Sequence, residues 1–429
     1  MARRASRAIL GAVVLAASVV AVSDARAAGP SATLQGSFAG ATDAFLGYSV
    51  AVSGNTVAVG AWNDAGGNGA TYVFVQSGSA WSLQQQLTAA DGAFEDEFGY
   101  AVALSGDTLL VGAGNRNNGQ GAVYAFARTG SSWHQAQELT SADGVAGDCF
   151  GCAIALSGTT AIVGANGRVG STGGAYIFTQ ASSWQLATEL AGGAPNDEFG
   201  FSVGLSADGT TAVAGAFGAS NGTGEAYVFT KSGTTWATHQ QAILQPNDIQ
   251  AQASFGYSVA ADTGEVLVGA FQRASTSPGA AYVFTGSGTS WSQQTKLVPS
   301  DGVSGDFFGY SVALSGNSAF VGAPEKAATT GAAYLFTNSG GSVWTQGEVG
   351  APAAGQSFGY SVALSGPIAA VGAFSAGNDS GELYVYGLAA GPPPPPPAPA
   401  LGGRANVVWL ALALGFFGAI SSRRAQERA

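Results

Sequence analysis

The phrase Phe-Gly-Tyr-Ser-Val-Ala-Leu-Ser-Gly, or a close variant of it, recurs seven times along the chain. Its first glycine falls at Gly47, Gly99, Gly151, Gly200, Gly256, Gly309 and Gly359. A period of about 50 residues marks a repeat architecture, in which each copy is one supersecondary unit that buries its apolar surface against its neighbours. The second copy shows the contents of a unit. Phe98-Gly99-Tyr100 opens an alternating run to Leu104, Ser105-Gly106-Asp107 makes a turn, and Thr108 to Val111 is apolar before Gly112-Ala113. A Gly- and Asn-rich loop leads to Ala122–Phe126, and after Thr129-Gly130-Ser131-Ser132 a mixed run begins at Trp133. Strand-length runs between Gly, Ser, Asn and Asp clusters predict four antiparallel strands per unit.

The other copies keep these beats. Six tryptophans, Trp81, Trp133, Trp184, Trp236, Trp291 and Trp344, open the fourth strands of seven units. The seventh unit stops after Tyr386 without its fourth strand, while Ala32-Thr33-Leu34-Gln35-Gly36 stands spare ahead of the first. This circular bookkeeping predicts an all-β, seven-bladed β-propeller of four-stranded blades, closed by an N-terminal strand paired against the one holding Tyr384; radial repetition leaves few free sheet edges. An open β-solenoid would not need the exchange. The 66 glycines and the 10% charged residues suit a many-turned β fold.

The Phe-Gly … Gly-Ala-(Pro) pattern, complete at Gly322-Ala323-Pro324, resembles the FG-GAP repeats of integrin α-subunit propellers and their bacterial relatives. The resemblance spans residues 32–387. It implies a propeller in an extracellular, often adhesive or ligand-displaying setting, and it transfers no ligand.

The ends carry an address. Residues 1–27 read as a signal peptide: Arg3, Arg4 and Arg7 precede an apolar run from Ala8, and Ala25-Arg26-Ala27 is a cleavage site. The propeller then occupies 28–387, a proline-rich linker 388–403, and a tail 404–429. In the tail, Val407–Ile420 is apolar and Arg423, Arg424 and Arg428 follow. This predicts a short C-terminal transmembrane helix with its basic end in the cytoplasm and the propeller exported. Gly402-Gly403 makes the tail similar to bacterial C-terminal sorting signals, so a sorting protease and plain membrane anchoring both stand as readings.

The candidate chemistry is sparse. Calcium needs six to eight oxygens, but the first hairpins read Ser53-Gly54-Asn55, Ser105-Gly106-Asp107 and Ser157-Gly158-Thr159. The Asp-rich loops found in many FG-GAP repeats are missing, so no cofactor is expected, with calcium kept as the alternative. Of 26 acidic and 15 basic residues, two and eight respectively lie in the end segments, which leaves 24 against 7 in the propeller. That balance disfavours nucleic acid. Many of the acids sit just upstream of the Phe-Gly positions, and two readings account for them. Asp side chains cap tight loops; alternatively they form an acidic interaction face, led by Asp96, Asp148 and Asp306 with Asp91, Asp143 and Asp301. The only cysteines, Cys149 and Cys152, are a candidate disulfide if the chain bends at Gly151, since residues three apart in an extended strand stand too far apart. A small buried thiol is the alternative. The tryptophans suit packing between blades better than sugar stacking. His134 and His239 are placed in fourth strands without a partner pattern for acid–base work. The function expected is a non-catalytic, surface-displayed or secreted propeller that meets a protein or glycan. A polysaccharide-active enzyme with a central-channel site and a purely structural envelope component are the alternatives.

Overall fold

The computed structural model describes residues 32–34, 43–272, 277–349 and 357–388. The expected signal peptide, the linker beyond 388 and the tail 404–429 lie outside the described residues. Among the described residues, no helix is long and apolar enough to cross a membrane.

Each repeat folds as an antiparallel meander. In blade 2 the strands are Phe98–Ser105, Thr108–Ala113, Ala122–Thr129 and Ser132–Leu139. Seven such sheets form, and the first strands neighbour one another in a closed circle. The last sheet holds Ser361–Ser365, Ile368–Ala373 and Glu382–Gly387, and its fourth strand is Ala32–Leu34. Thr33 stands opposite Tyr384, Ala32 opposite Val385 and Leu34 opposite Leu383, so the N-terminal strand closes the ring as expected. Blade 4 departs from the pattern. Its outer strand is split into Thr235–Trp236 and Ala242–Leu244, and His239 lies in the break, bridging to Ala191, rather than in a strand.

The core is a set of slabs between blades. One slab joins Val73 and Leu87 of blade 1 to Phe98, Leu109 and Tyr124 of blade 2, with Trp133 at its rim. Another joins Leu383 and Val385 of blade 7 to Leu46, Val57 and Tyr72 of blade 1. Burying each sheet face against the next sheet is what makes a single repeat insufficient by itself. The tryptophans belong to these slabs, and Trp133 Nε1 donates to Gln84 Oε1 of the preceding blade at 2.8 Å. The motif glycines serve the same contact. A Cβ on Gly112 would overlap the Gly151 carbonyl oxygen of the next blade, so backbone meets backbone only because both positions lack a side chain.

Side-chain clasps tie blade to blade at both ends of the first strands. Ser49 Oγ donates to the Gly99 carbonyl at 2.8 Å, and Ser105 Oγ accepts from Gly158 N–H at 3.1 Å. On one face, each loop entering a blade bonds to the loop joining the second and third strands of the blade before. Glu97 N–H donates to the Gly67 carbonyl, Cys149 N–H to Gly119 and Glu198 N–H to Ser171. That loop face carries the candidate site.

Candidate functional site

The residue after each motif glycine is brought to the axis by the first strand. Tyr48, Tyr100, Cys152, Phe201, Tyr257, Tyr310 and Tyr360 therefore form a collar. Ring centroids stand 4.9 Å apart for Tyr48–Tyr100, 5.1 Å for Tyr48–Tyr360, 5.0 Å for Tyr310–Tyr360, and 4.8 Å for both Tyr257–Tyr310 and Phe201–Tyr257. Such spacing lies within the range in which tilted aromatic pairs attract. Burial pushes the Tyr360 hydroxyl up to about 12, and it raises Tyr48 and Tyr100 as well; neighbouring tyrosines bond to one another, so the collar stays neutral.

A second tier comes from the residue after each Gly-Ala pair. Phe374 lies 4.3 Å from Tyr360, Phe217 4.5 Å from Phe201, and Phe271 4.6 Å from Tyr257. The outermost tier is the residue two before each motif glycine: Phe45, Glu97, Cys149, Glu198, Ser254, Phe307 and Ser357. All seven have positive φ, between 49° and 60°. None is glycine, and the left-handed backbone costs each about 1 kcal/mol or more. The turn is held by the loop-to-loop bonds described above. Phe45 stacks on Trp62 at 5.3 Å, and Phe307 meets Phe271 at 5.1 Å. Glu97 and Glu198 occupy the same position in their blades. Burial, with the charge of Glu95 behind it, raises the Glu97 carboxyl above its ordinary range, while Glu198 accepts from Asn166 Nδ2 at 3.3 Å. The mouth thus offers aromatic faces and two carboxylates that form no ion pair with a described residue. Exposed apolar tips lie on the same loop face, at Phe94, Val145, Val169 and Val303.

The FG-GAP repeat model matches residues 37–74, 81–126, 133–178, 190–229, 238–284, 291–336 and 352–386. The chain belongs to the FG-GAP repeat family. No curated protein matches it. In this FG-GAP propeller the sequence repeat and the blade are out of phase. The segment 81–126 begins in the outer strand of one blade, Ala80–Leu87, and ends in the third strand of the next, Ala122–Thr129. The five middle repeats therefore each span a blade interface, and the N-terminal strand completes the last blade.

The predicted acidic contacts divide into two sets. Asp96, Asp148 and Asp306 are buried, and each carboxylate accepts from the backbone N–H three residues earlier: Ala93 at 2.8 Å, Val145 at 2.9 Å and Val303 at 2.8 Å. Of the two readings the sequence leaves open for these three, their burial and turn hydrogen bonds favour the loop cap. A short side chain three residues after a free N–H is consumed by its own turn. Asp91, Asp143 and Asp301 are about half exposed and are held by Arg116, Arg168 and Lys326. Much of the acidic charge on this face is thus locally paired. The two carboxylates at the mouth, Glu97 and Glu198, were not among the leading expected contacts.

Cys149 and Cys152 form a disulfide with Cα atoms 5.5 Å apart. The segment is a turn, not an extended strand: Cys149 has φ 60°, Gly151 has φ 93°, and Cys152 N–H donates to the Cys149 carbonyl at 3.1 Å. The bridge sits against Gly114, in the one sector of the collar without an aromatic ring. In the first hairpins, Asp208 accepts from Ser206, Thr210 N–H and Thr210 Oγ1, so its own turn uses it. Among the described residues, no group of three His, Cys, Asp or Glu side chains is arranged to hold a metal ion.

What brings the collar together was visible as a column in the repeat, since Tyr, Phe or Cys follows every motif glycine. Read as strand alternation alone, it gave no sign that seven first strands converge on one axis.

Proposed function

We propose that this FG-GAP propeller is an exported, non-catalytic interaction module, secreted or anchored at the cell surface, which engages a protein partner through the axial mouth of its loop face. The observation that carries the reading is the three-tier aromatic mouth with Glu97 and Glu198 at its rim. Aromatic faces beside unpaired carboxylates attract a basic side chain through cation–π and charge terms, by about 0.5–2 kcal/mol for each ring engaged. The apolar tips Phe94, Val145, Val169 and Val303 suit a partner with apolar surface around that anchor. Adhesion is the role that export and family membership favour.

The full-length protein, expressed in a bacterial host and recovered from the cell surface or medium, tests this reading. Its mass is expected to lack residues 1–27. A Phe45→Ala/Phe307→Ala/Glu97→Gln variant is expected to keep its circular dichroism spectrum and lose salt-sensitive capture of a surface protein. Binding confined to a glycan array would change the partner class, and turnover of a polysaccharide by the purified protein would overturn the non-catalytic reading.

A further inference from the structure

Four blades solve one electrostatic problem in the same way. The third-strand tyrosine and nearby carboxylates surround an internal cation. In blade 2, Arg116 reaches Asp91, Asp96 and Glu138, with its guanidinium 5.7 Å from the Tyr124 ring centroid. Arg168 bonds Asp143 and Glu189 in blade 3, 5.7 Å from Tyr176. In blade 6, Lys326 bonds Asp301 at 2.6 Å and stands 5.5 Å from Tyr334. Blade 5 supplies its cation from the outer strand, with Lys296 on Asp248 at 2.6 Å and 5.3 Å from Tyr282.

Blade 4 lacks that cation and draws its carboxylates from other positions. Asp197 stands where Asp96, Asp148 and Asp306 do, Gly192 where Asp91, Asp143 and Asp301 do, and Glu225 comes from this blade's own third strand. Ala219 stands where Arg116, Arg168 and Lys326 stand in their blades, and Ile243, opposite Tyr227, where Lys296 stands opposite Tyr282. Tyr227 donates its hydroxyl to Glu225 Oε2 at 2.7 Å, and Gln245 and Ser220 donate to Glu225 Oε1 at 2.8 and 3.2 Å. Beside them a cavity of about 540 Å³ opens under the break in the outer strand, lined by Asp197, Ser220, Glu225, Tyr227, His239 and Gln240 among others. Among the described residues, no lysine or arginine lines it.

We propose that this blade 4 cavity binds a cationic group from outside the chain, a primary ammonium or guanidinium on a short alkyl stem, held by Glu225 and the Tyr227 ring where the other blades hold their own Arg or Lys. The volume falls in the range of small-ligand sites. The stem has the apolar side of Ile243 and the backbone of Gly192 and Gly193 to lie against. The cation can come from a free diamine or from a basic side chain of a polypeptide, and the two present the same head.

Isothermal titration of the full-length protein with cadaverine, Nα-acetyl-lysine amide and Nα-acetyl-arginine amide, with Nα-acetyl-norleucine amide as the uncharged control, tests the proposal. The cationic probes are expected to bind and the control not. Preference for cadaverine points to a free amine, and preference for the amino-acid amides to a polypeptide. Glu225→Gln is expected to weaken binding about tenfold or more, since it removes the charge but leaves the shape. Ala219→Arg, which restores the repeat's own cation, is expected to abolish binding and raise the melting temperature. Equal binding of the norleucine control, no binding of any probe, or unchanged binding in Glu225→Gln or in Ala219→Arg overturns the proposal. None of these readouts depends on a macromolecular partner at the axial mouth.

Discussion

The hydroxyl of Ser361 donates to the carbonyl of Gly47 at 2.7 Å, joining the last blade to the first across 314 positions of chain. The same bond links Ser49 to Gly99, Ser202 to Gly256, Ser258 to Gly309 and Ser311 to Gly359. Ring closure thus uses the contact that holds neighbouring blades, and the strand Ala32–Leu34 is an addition to it. Deleting residues 32–36 is expected to speed hydrogen exchange along Leu383–Val385 and leave blades 3 to 5 unchanged. Ser361→Ala is expected to cost about 1 kcal/mol of stability in denaturant unfolding. A deletion that leaves exchange at Tyr384 untouched would mean that the N-terminal strand contributes nothing to the seventh blade.

Two glycines of one repeat should respond very differently to the same substitution. Gly112→Ala drives a Cβ into the Gly151 carbonyl across a blade interface, where backbone cannot give way. A loss on the order of 4 kcal/mol, or failure to fold, is expected. Gly106 has φ 56° and open space around it, so Gly106→Ala is expected to cost only about 1 kcal/mol through backbone strain. Similar melting temperatures for the two variants would contradict the tight blade contact.

The acidic residues of the loop face differ by burial, and their substitutions should separate accordingly. Asp148→Ala removes a buried cap on Val145 and is expected to cost about 1–2 kcal/mol, as lost caps do. Asp143→Asn weakens an exposed pair with Arg168 and is expected to cost less than about 1 kcal/mol. The hydrogen bond from Arg168 lowers the Asp143 carboxyl, and one from Lys296 likewise lowers Asp248. A lowered folded value means the stabilisation is present above the ordinary carboxylate range and is lost as pH falls through the folded value. Unfolding between pH 5 and 2, the window being set roughly by these carboxyls, should therefore show wild type losing its advantage over Asp143→Asn at the acid end.

Glu97 runs the other way. Burial raises its carboxyl, so the protonated form is the one the fold favours; that contribution is present at acid pH and is lost as pH rises through the raised value. Glu97→Gln is expected to melt higher than wild type at pH 7, by about 1–2 °C, and to match it at pH 4. A variant less stable than wild type at neutral pH would show that an attractive contact, and not burial, dominates at the mouth.

The architecture was legible because it is written seven times. Gly47 to Gly359, the missing strand after Tyr386 and the spare Ala32–Leu34 specify blades, count and closure without any long-range information. The candidate site was less legible because it belongs to no single repeat. Phe45 and Trp62 share a blade, but Phe374 reaches the same spot from the far end of the chain. Asp148 shows the opposite failure: its spacing after Val145 fits an interaction residue and a loop cap equally, and only burial separates them. Cys149 and Cys152 turned on backbone geometry, since the positive φ values at Cys149 and Gly151 bring together two residues that an extended strand would hold apart.

The axial mouth makes the last claim testable without knowing the partner. Phe45 lies over Trp62 and Phe307 over Phe271, both on half-exposed, left-handed turns, so truncating them removes little from the blade slabs. Phe45→Ala and Phe307→Ala are each expected to cost under about 1.5 kcal/mol of stability, the worth of an aromatic pair rather than of a core residue. Phe98→Ala, fully buried against Tyr124 and Phe126, is expected to cost about 3–5 kcal/mol. Tryptophan fluorescence supplies a direct readout. Trp62 is covered by Phe45, so a basic peptide entering the mouth should change its emission, and added salt should weaken the response, because attraction between exposed charges is screened over about 10 Å at 0.1 M. A Trp62→Phe variant should lose that signal while still binding. If the signal survives in Trp62→Phe, the peptide is docking elsewhere and the mouth is not the site.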